Sequence, residues 1–193
     1  RTGQFTHFKH QSGDSTSLSN DIVKVIFEDS KGRFWLGTVG GGLNLFDRTT
    51  EKFTSFVNNP KNPNSISNNV VQCIFEDNNG ILWISTYGGG LNRFDPERNT
   101  FDHFKEDDGL SHNSLYDILP DDNGNLWIST SRGLTKFNPE TEVFRNYDTR
   151  EGLQGEDFNS GAHFRSETGE MFFGGTNGFN SFHPDSIRDN PHV

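Results

Sequence analysis

The chain has 193 residues, enough for one domain of ordinary size with a sizeable core. Hydrophobic residues make up 30 %, but 19 of them are Phe and 21 further residues are Gly, so the core comes from a few large rings; a disordered chain would be poor in aromatics. Seventeen basic against twenty-seven acidic residues give a formal charge of −10, which repels a phosphate backbone or an anionic bilayer, so neither nucleic acid nor direct membrane contact is expected.

The chain opens on Arg1 in mid-pattern, without a Met, and reads as a segment of a longer polypeptide. No apolar run is long enough to cross a bilayer, and there is no signal peptide. Phe5-Thr6-His7-Phe8 matches Phe53-Thr54-Ser55-Phe56 further on, so a first strand is predicted over residues 4–9. The stretch Phe27–Thr38, centred on Trp35, then recurs at Phe75–Thr86 around Trp83 and at Leu119–Thr130 around Trp127. A decayed fourth copy, Gly169–Gly175, carries Phe172 in the Trp place. These four aromatics are 48, 44 and 45 residues apart, the period of a four-stranded propeller blade.

Each copy reads as four short strands, a to d. Strand a is Ile22–Phe27, Val70–Phe75 or Leu115–Leu119, and an Asp-x-x-Gly turn follows, in which the Asp side chain caps the backbone and Gly supplies positive φ. Strand b carries the Trp. After a Gly-rich turn, strand c is Leu43–Phe46, Leu91–Phe94, Leu134–Phe137 or Phe179–Phe182, and strand d carries Phe53/Phe56, Phe101/Phe104 or Phe144/Tyr147. Closely spaced aromatics between regular turn signals favour an all-β fold, and no segment keeps a helical period. The expectation is one β-propeller segment over residues 1–193, with blades at about 17–64, 65–109, 110–152 and 153–186 plus the strand at 4–9. The fourth copy ends on its strand c. Either the N-terminal strand completes that blade, or the four blades are part of a larger propeller.

The signature Phe-Glu-Asp-x-x-Gly-x-x-Trp-Ile-x-Thr-x-x-Gly-Gly-Leu-x-x-Phe-Asp-Pro is clearest at Phe75–Pro96, and there the chain resembles the two-component regulator propeller repeat. The ending Phe173–Pro184 is similar to that family's last blade. The resemblance implies the periplasmic sensor part of a membrane histidine kinase, often a hybrid one responding to glycans, or of a diguanylate cyclase. It further implies remaining blades, and an immunoglobulin-like domain, a membrane helix and a signalling output on the C-terminal side. No cofactor is implied, and a homodimer is an open expectation.

Several motifs look like chemistry and read better as architecture. Gly40-Gly41-Gly42 and Gly88-Gly89-Gly90 precede strands, whereas a phosphate loop leads into a helix N-terminus. Asp77-Asn78-Asn79-Gly80 and Asp121-Asp122-Asn123-Gly124 place Gly at position four, where a calcium loop needs it at six. His7, His10, His103, His112, His163, His183 and His192 form no His-x-x-x-His pair, and Cys73 stands alone as a small buried residue, so no metal site is expected. No nucleophile elbow or Cys/His set appears, and acidic pairs such as Glu28/Asp29 recur at one place per blade. No catalytic residue is expected.

In a propeller the d–a and b–c connections share one face. The d–a loops Asn58–Asn68, Lys105–Asn113 and Asp148–Asn159 differ in length and composition, and variable loops on a repeated scaffold are where binding resides. On that face Tyr87 offers a ring on which a sugar can stack, and Arg132, which replaces a glycine, offers a fork for a carboxylate. With Asn69, Asn113, His112, Asn159 and Asn177 they make the expected site for a small molecule or oligosaccharide.

Overall fold

A computed structural model describes residues 3–187. The fold is an all-β propeller of four antiparallel blades. Blade one is β1 (Val23–Glu28), β2 (Phe34–Thr38), β3 (Leu43–Asp47) and β4 (Lys52–Phe56). Blade two is β5 (Val71–Glu76), β6 (Leu82–Thr86), β7 (Gly90–Asp95) and β8 (Thr100–Phe104). Blade three is β9 (Leu115–Pro120), β10 (Leu126–Thr130), β11 (Gly133–Asn138) and β12 (Val143–Tyr147). Blade four is β13 (Phe158–Arg165), β14 (Met171–Gly175) and β15 (Gly178–Phe182). Strands lie side by side in chain order in every sheet. The helical elements among the described residues are three short 3-10 turns.

Two compact units divide the chain. One holds the residues up to Thr86 together with Asn92–His103; the other holds Tyr87–Leu91 and the residues from Phe104 onward. The first is built on a cluster of Trp35, Leu43, Ile66, Val71, Ile74, Leu82, Ile84, Phe94 and Phe101. The second is built on Leu119, Trp127, Leu134, Tyr147, Phe158, Met171 and Phe173. Each cluster joins faces of two successive blades, so a blade's buried face is completed by its neighbour in sequence.

The repeated Asp and Trp are bonded to each other. Trp35 Nε1 donates to Asp29 Oδ2 at 2.8 Å, Trp83 to Asp77 at 2.9 Å and Trp127 to Asp121 at 3.1 Å. The same carboxylates accept turn N–H groups, in blade one from Lys31 and Arg33 and in blade three from Asn123 and Asn125. A Trp fully buried in an apolar layer thus keeps its donor satisfied. In blade four Ser166 stands for Asp and takes the Glu170 N–H at 3.0 Å, while Phe172 has no donor to satisfy.

Burial raises the pKa of Asp29, but the hydrogen bonds from Trp35 and Arg33 outweigh it and hold the carboxyl below its ordinary value. A lowered folded-state pKa means stability that is complete above pH ~4 and is lost as pH falls through the lowered value. The urea midpoint of the protein is therefore expected to drop more steeply below pH ~4 than that of Asp29→Asn, which has no such proton to take up. Parallel pH profiles of the two would rule this out.

The strand predicted over residues 4–9 is not part of any sheet, and the fourth sheet has three strands among the described residues. The segment nevertheless lies where the repeat puts a strand d. Phe8 packs on Phe46 and Phe53 with ring centroids at 4.8 and 5.9 Å. Phe56 packs in the same way on Phe94 and Phe101, and Phe104 on Phe137 and Phe144. The loop register agrees, since His10 N–H donates to Asp21 as Asn58 N–H does to Asn69.

Candidate functional site

The d–a loops and b–c turns are tied together by one repeated device. The Asn69 carbonyl accepts from both Gly40 N–H and Gly42 N–H at 2.9 Å, while its side-chain oxygen takes Asn58 N–H at 2.7 Å. Asn113 does the same in the second unit, accepting from Gly88, Gly90 and Glu106 at 2.9 to 3.0 Å. A polar residue of strand c anchors each loop as well: Asn44 holds Ser19, Asn92 holds Ser67 and Thr135 holds Ser111. Asn69 and Asn113 are thus clamps that fix loop positions, and their side-chain oxygens already have partners.

In the second unit the loops gather four of the expected residues. Arg132 Nη1 lies 3.8 Å from the Glu106 carboxylate, whose other oxygen accepts Asn113 N–H at 3.0 Å. His112 Nδ1 accepts Ser114 N–H at 2.9 Å and lies 2.7 Å from Ser131 Oγ, beside Arg132 in the b–c turn. Tyr87 is 49 % exposed, and its ring centroid is 6.3 Å from that of Tyr116 at a 41° tilt. The Tyr116 hydroxyl donates to Asp157 at 2.9 Å. Burial first, and then the Asp157 carboxylate, push the Tyr116 phenol up, so it stays a donor at neutral pH.

The other expected residues differ. Asn177 is engaged with Gln154, its N–H at 2.8 Å and its amide at 2.9 Å. Asn159 was expected at the end of a loop; it lies on β13 as an exposed strand residue, because Phe158 already pairs with Gly175. Asn69 belongs to the first unit.

Sequence reasoning missed Tyr116, Asp157, Glu106 and Ser131. It also missed the buried Asp117, whose carboxylate lies 3.0 Å from His163 Nδ1 and accepts Gly161 N–H. A position-by-position comparison of strand a would have flagged two of them. Tyr116 stands where the earlier blades have Lys24 and Gln72, and Asp117 where they have Val25 and Cys73.

Two cavities accompany these loops. In the first unit a hollow of about 360 Å³ is lined by Ser55, Asn59, Asn62, Asn64, Asn99 and Phe101 among others, an amide-rich wall. In the second, one of about 210 Å³ lies among Trp127, Tyr147, Glu151, Asn180 and Phe182. Stacking rings, a guanidinium and amides suit a hydroxylated or anionic small molecule.

Comparison with known proteins gives a consistent answer. A sequence model of the two component regulator propeller matches residues 17–40, 65–88 and 109–132. The chain is similar to the extracellular domain of BT4673 from B. thetaiotaomicron in two solved structures. One, assigned to a one component system, has 26 % identity over 93 % of this chain, with a TM-score of 0.78. The other, assigned to a hybrid two component system, has 28 % identity over 91 %, with a TM-score of 0.76. This chain spans 25 % of the length of each. Virginiamycin B lyase from Staphylococcus aureus, at 13 % identity, a TM-score of 0.59 and 83 % of this chain against 55 % of its own, shares the fold alone. No protein with a curated description shows significant sequence similarity. Among the described residues no helix is long and apolar enough to cross a membrane.

Proposed function

We propose, from the match of a two component regulator propeller model to three segments of the chain, that it is the periplasmic sensor propeller of a membrane-anchored signalling protein. It binds a small molecule or oligosaccharide and passes the event to a C-terminal output domain. The likeness to the BT4673 extracellular domain over more than nine tenths of the chain carries this reading. The ligand sits on the d–a and b–c face of the second unit. Tyr87 and Tyr116 supply flat rings, Arg132 and Asp157 polar ends, and His112 a hydrogen-bonding edge. Asn113 and Asn177 hold the loops around it, and Asn69 does the same in the first unit.

A panel of neutral and acidic oligosaccharides screened by thermal shift tests the proposal. A ligand present at a hundred times its Kd adds about 2.7 kcal/mol, or roughly 5–10 °C for a chain of this length. Tyr87→Ala and Arg132→Ala should each abolish most of that shift without lowering the melting point of the free protein, since both side chains are largely solvent-facing. A shift that survives both substitutions places the ligand elsewhere. Product formation from a polysaccharide would contradict a non-enzymatic sensor.

A further inference from the structure

The d–a loops over residues 10–20 and 58–68 turn in the same way. Ser17 N–H donates to the Asp14 carbonyl at 3.2 Å as Ser65 N–H donates to the Asn62 carbonyl at 3.0 Å. They part company where each loop meets strand d of its own blade. In blade one, Phe53 N–H donates to the Thr16 carbonyl at 2.8 Å, so the loop lies directly on β4. In blade two no such bond joins Phe101 to Asn64, the matching pair, among the described residues. His103, where blades one and three have Ser55 and Asn146, spans the gap instead, its Nε2 2.8 Å from the Ser65 carbonyl. The hollow of about 360 Å³ lies at this gap.

Its polar wall is four amides, Asn59, Asn62, Asn64 and Asn99, and buried Ile66 and Phe101 give it an apolar base. The Asn59 Oδ1 accepts Lys61 N–H at 3.0 Å and the Asn62 Oδ1 accepts Asn64 N–H at 3.1 Å. Both oxygens are thus committed to the loop, and each Nδ2 is left as a donor without a protein partner among the described residues. The side-chain amides of Asn64 and Asn99 make no hydrogen bond there either. No charged residue lines the hollow. Blade one has Asp14 and Glu51 at the places of Asn62 and Asn99, so blade two carries uncharged amides where its neighbour carries carboxylates. Asn99 keeps the left-handed backbone of that position, φ 58° against 56° for Glu51.

We propose that this hollow is a second binding site, separate from the face of the second unit, and that it takes a neutral, hydroxyl-rich molecule of one or two rings, a mono- or disaccharide. Its volume is at the small end of the range of about 300–1,000 Å³ for ligand pockets. Amide donors and acceptors pair with hydroxyls, and the apolar base meets the C–H face of a sugar ring. A charged ligand would lose hydration here without meeting a counter-charge. The loop is braced in advance, since Ser65 Oγ accepts Asn59 N–H at 2.9 Å and donates to the Asn62 carbonyl at 2.9 Å, so little ordering cost falls on binding.

Nuclear magnetic resonance of the protein carrying isotope-labelled asparagine tests this, with glucose, galactose, N-acetylglucosamine and cellobiose as the probes. At least one sugar should move the side-chain amide signals of Asn64 and Asn99 in a saturable way. Asn64→Ala and Asn99→Gly should each weaken that sugar about three- to tenfold, the worth of one uncharged hydrogen bond. Neither amide is bonded within the protein among the described residues, and glycine accepts the positive φ at position 99, so both variants should melt with the wild type. The double variant Tyr87→Ala with Arg132→Ala should bind the same sugar unchanged, which separates this site from the one on the second unit. Signals that stay still with all four sugars overturn the proposal. So does affinity undiminished in both asparagine variants, or binding lost in the double variant.

Discussion

Trp127→Ala lowers the stability of the protein by about 3–5 kcal/mol, the cost of emptying a large aromatic site in a packed core. For a chain of this length that is on the order of 10 °C in melting temperature. Trp127 is 1 % exposed, stacked on Tyr147 at 5.4 Å and in contact with Phe182 at 4.8 Å. Its removal takes away the layer joining blades three and four and leaves one Asp121 oxygen without its indole donor. Trp127→Phe should cost far less, about 1–2 kcal/mol, because most of the ring volume stays and mainly the hydrogen bond is lost. Blade four supplies the control, since it pairs Ser166 with Phe172. Importing that pair as Asp121→Ser with Trp127→Phe should cost less than the sum of the single changes, because the two residues act on one bond. Urea denaturation of these variants, and of Asp121→Ser alone, measures all four. A Trp127→Ala melting point within about 2 °C of wild type would show that the ring does not join the blades.

Gly133→Ala is the second severe change. Gly133 has φ +88°, and an added Cβ would sit against the Tyr147 carbonyl oxygen far inside the 3.0 Å that real Cβ atoms respect. That carbonyl belongs to the neighbouring strand, where Leu134 pairs with Tyr147, so relief means parting β11 from β12. Gly124 separates the two effects. Its φ is +80°, but nothing lies within 4 Å of the position its Cβ would take. Gly124→Ala should therefore show only the left-handed backbone strain, about 1–2 kcal/mol. Gly133→Ala should lose roughly 3 kcal/mol or more, adding a steric clash to that strain. Equal urea midpoints for the two variants would show that the approach to strand d is not what selects the glycine. Gly42 and Gly90 make the same approach to Phe56 and Phe104, which explains why the last glycine of the b–c turn recurs in blades one to three where its neighbours vary.

The fold was legible because its determinants repeat. Asp-x-x-Gly turns, a Trp at a fixed offset and a closing Gly-Leu name strand ends and burial together, and four copies at one period leave little room for another architecture. The strand over residues 4–9 was legible in position but not in pairing. Phe8 announces what it packs on, whereas pairing depends on a neighbouring strand that local sequence does not specify. The site was legible only in part, for the opposite reason. Tyr87 and Arg132 stood out because they break the repeat, but Asn69 and Asn113 were selected as amides on a variable face. Their sequence did not show that both oxygens of each face backbone N–H groups. Asp157 and Glu106 lie in loops without periodicity, so their roles exist only in three dimensions.

The Asp-to-Trp bond spans six residues in all three intact repeats. A loop that short closes at little entropic cost, so each a–b hairpin can acquire its polar clamp while the rest of the chain is still unfolded. The meeting of blade faces brings together residues some sixty positions apart, such as Trp35 and Phe94, and its larger loop-closure cost predicts that it comes later. Sequence separation thereby predicts an order of folding, hairpins first and layers second. A duplicated repeat arrives with its own nucleus, and blade four, where Ser166 and Phe172 have lost that bond, depends more than the others on the neighbour against which it condenses.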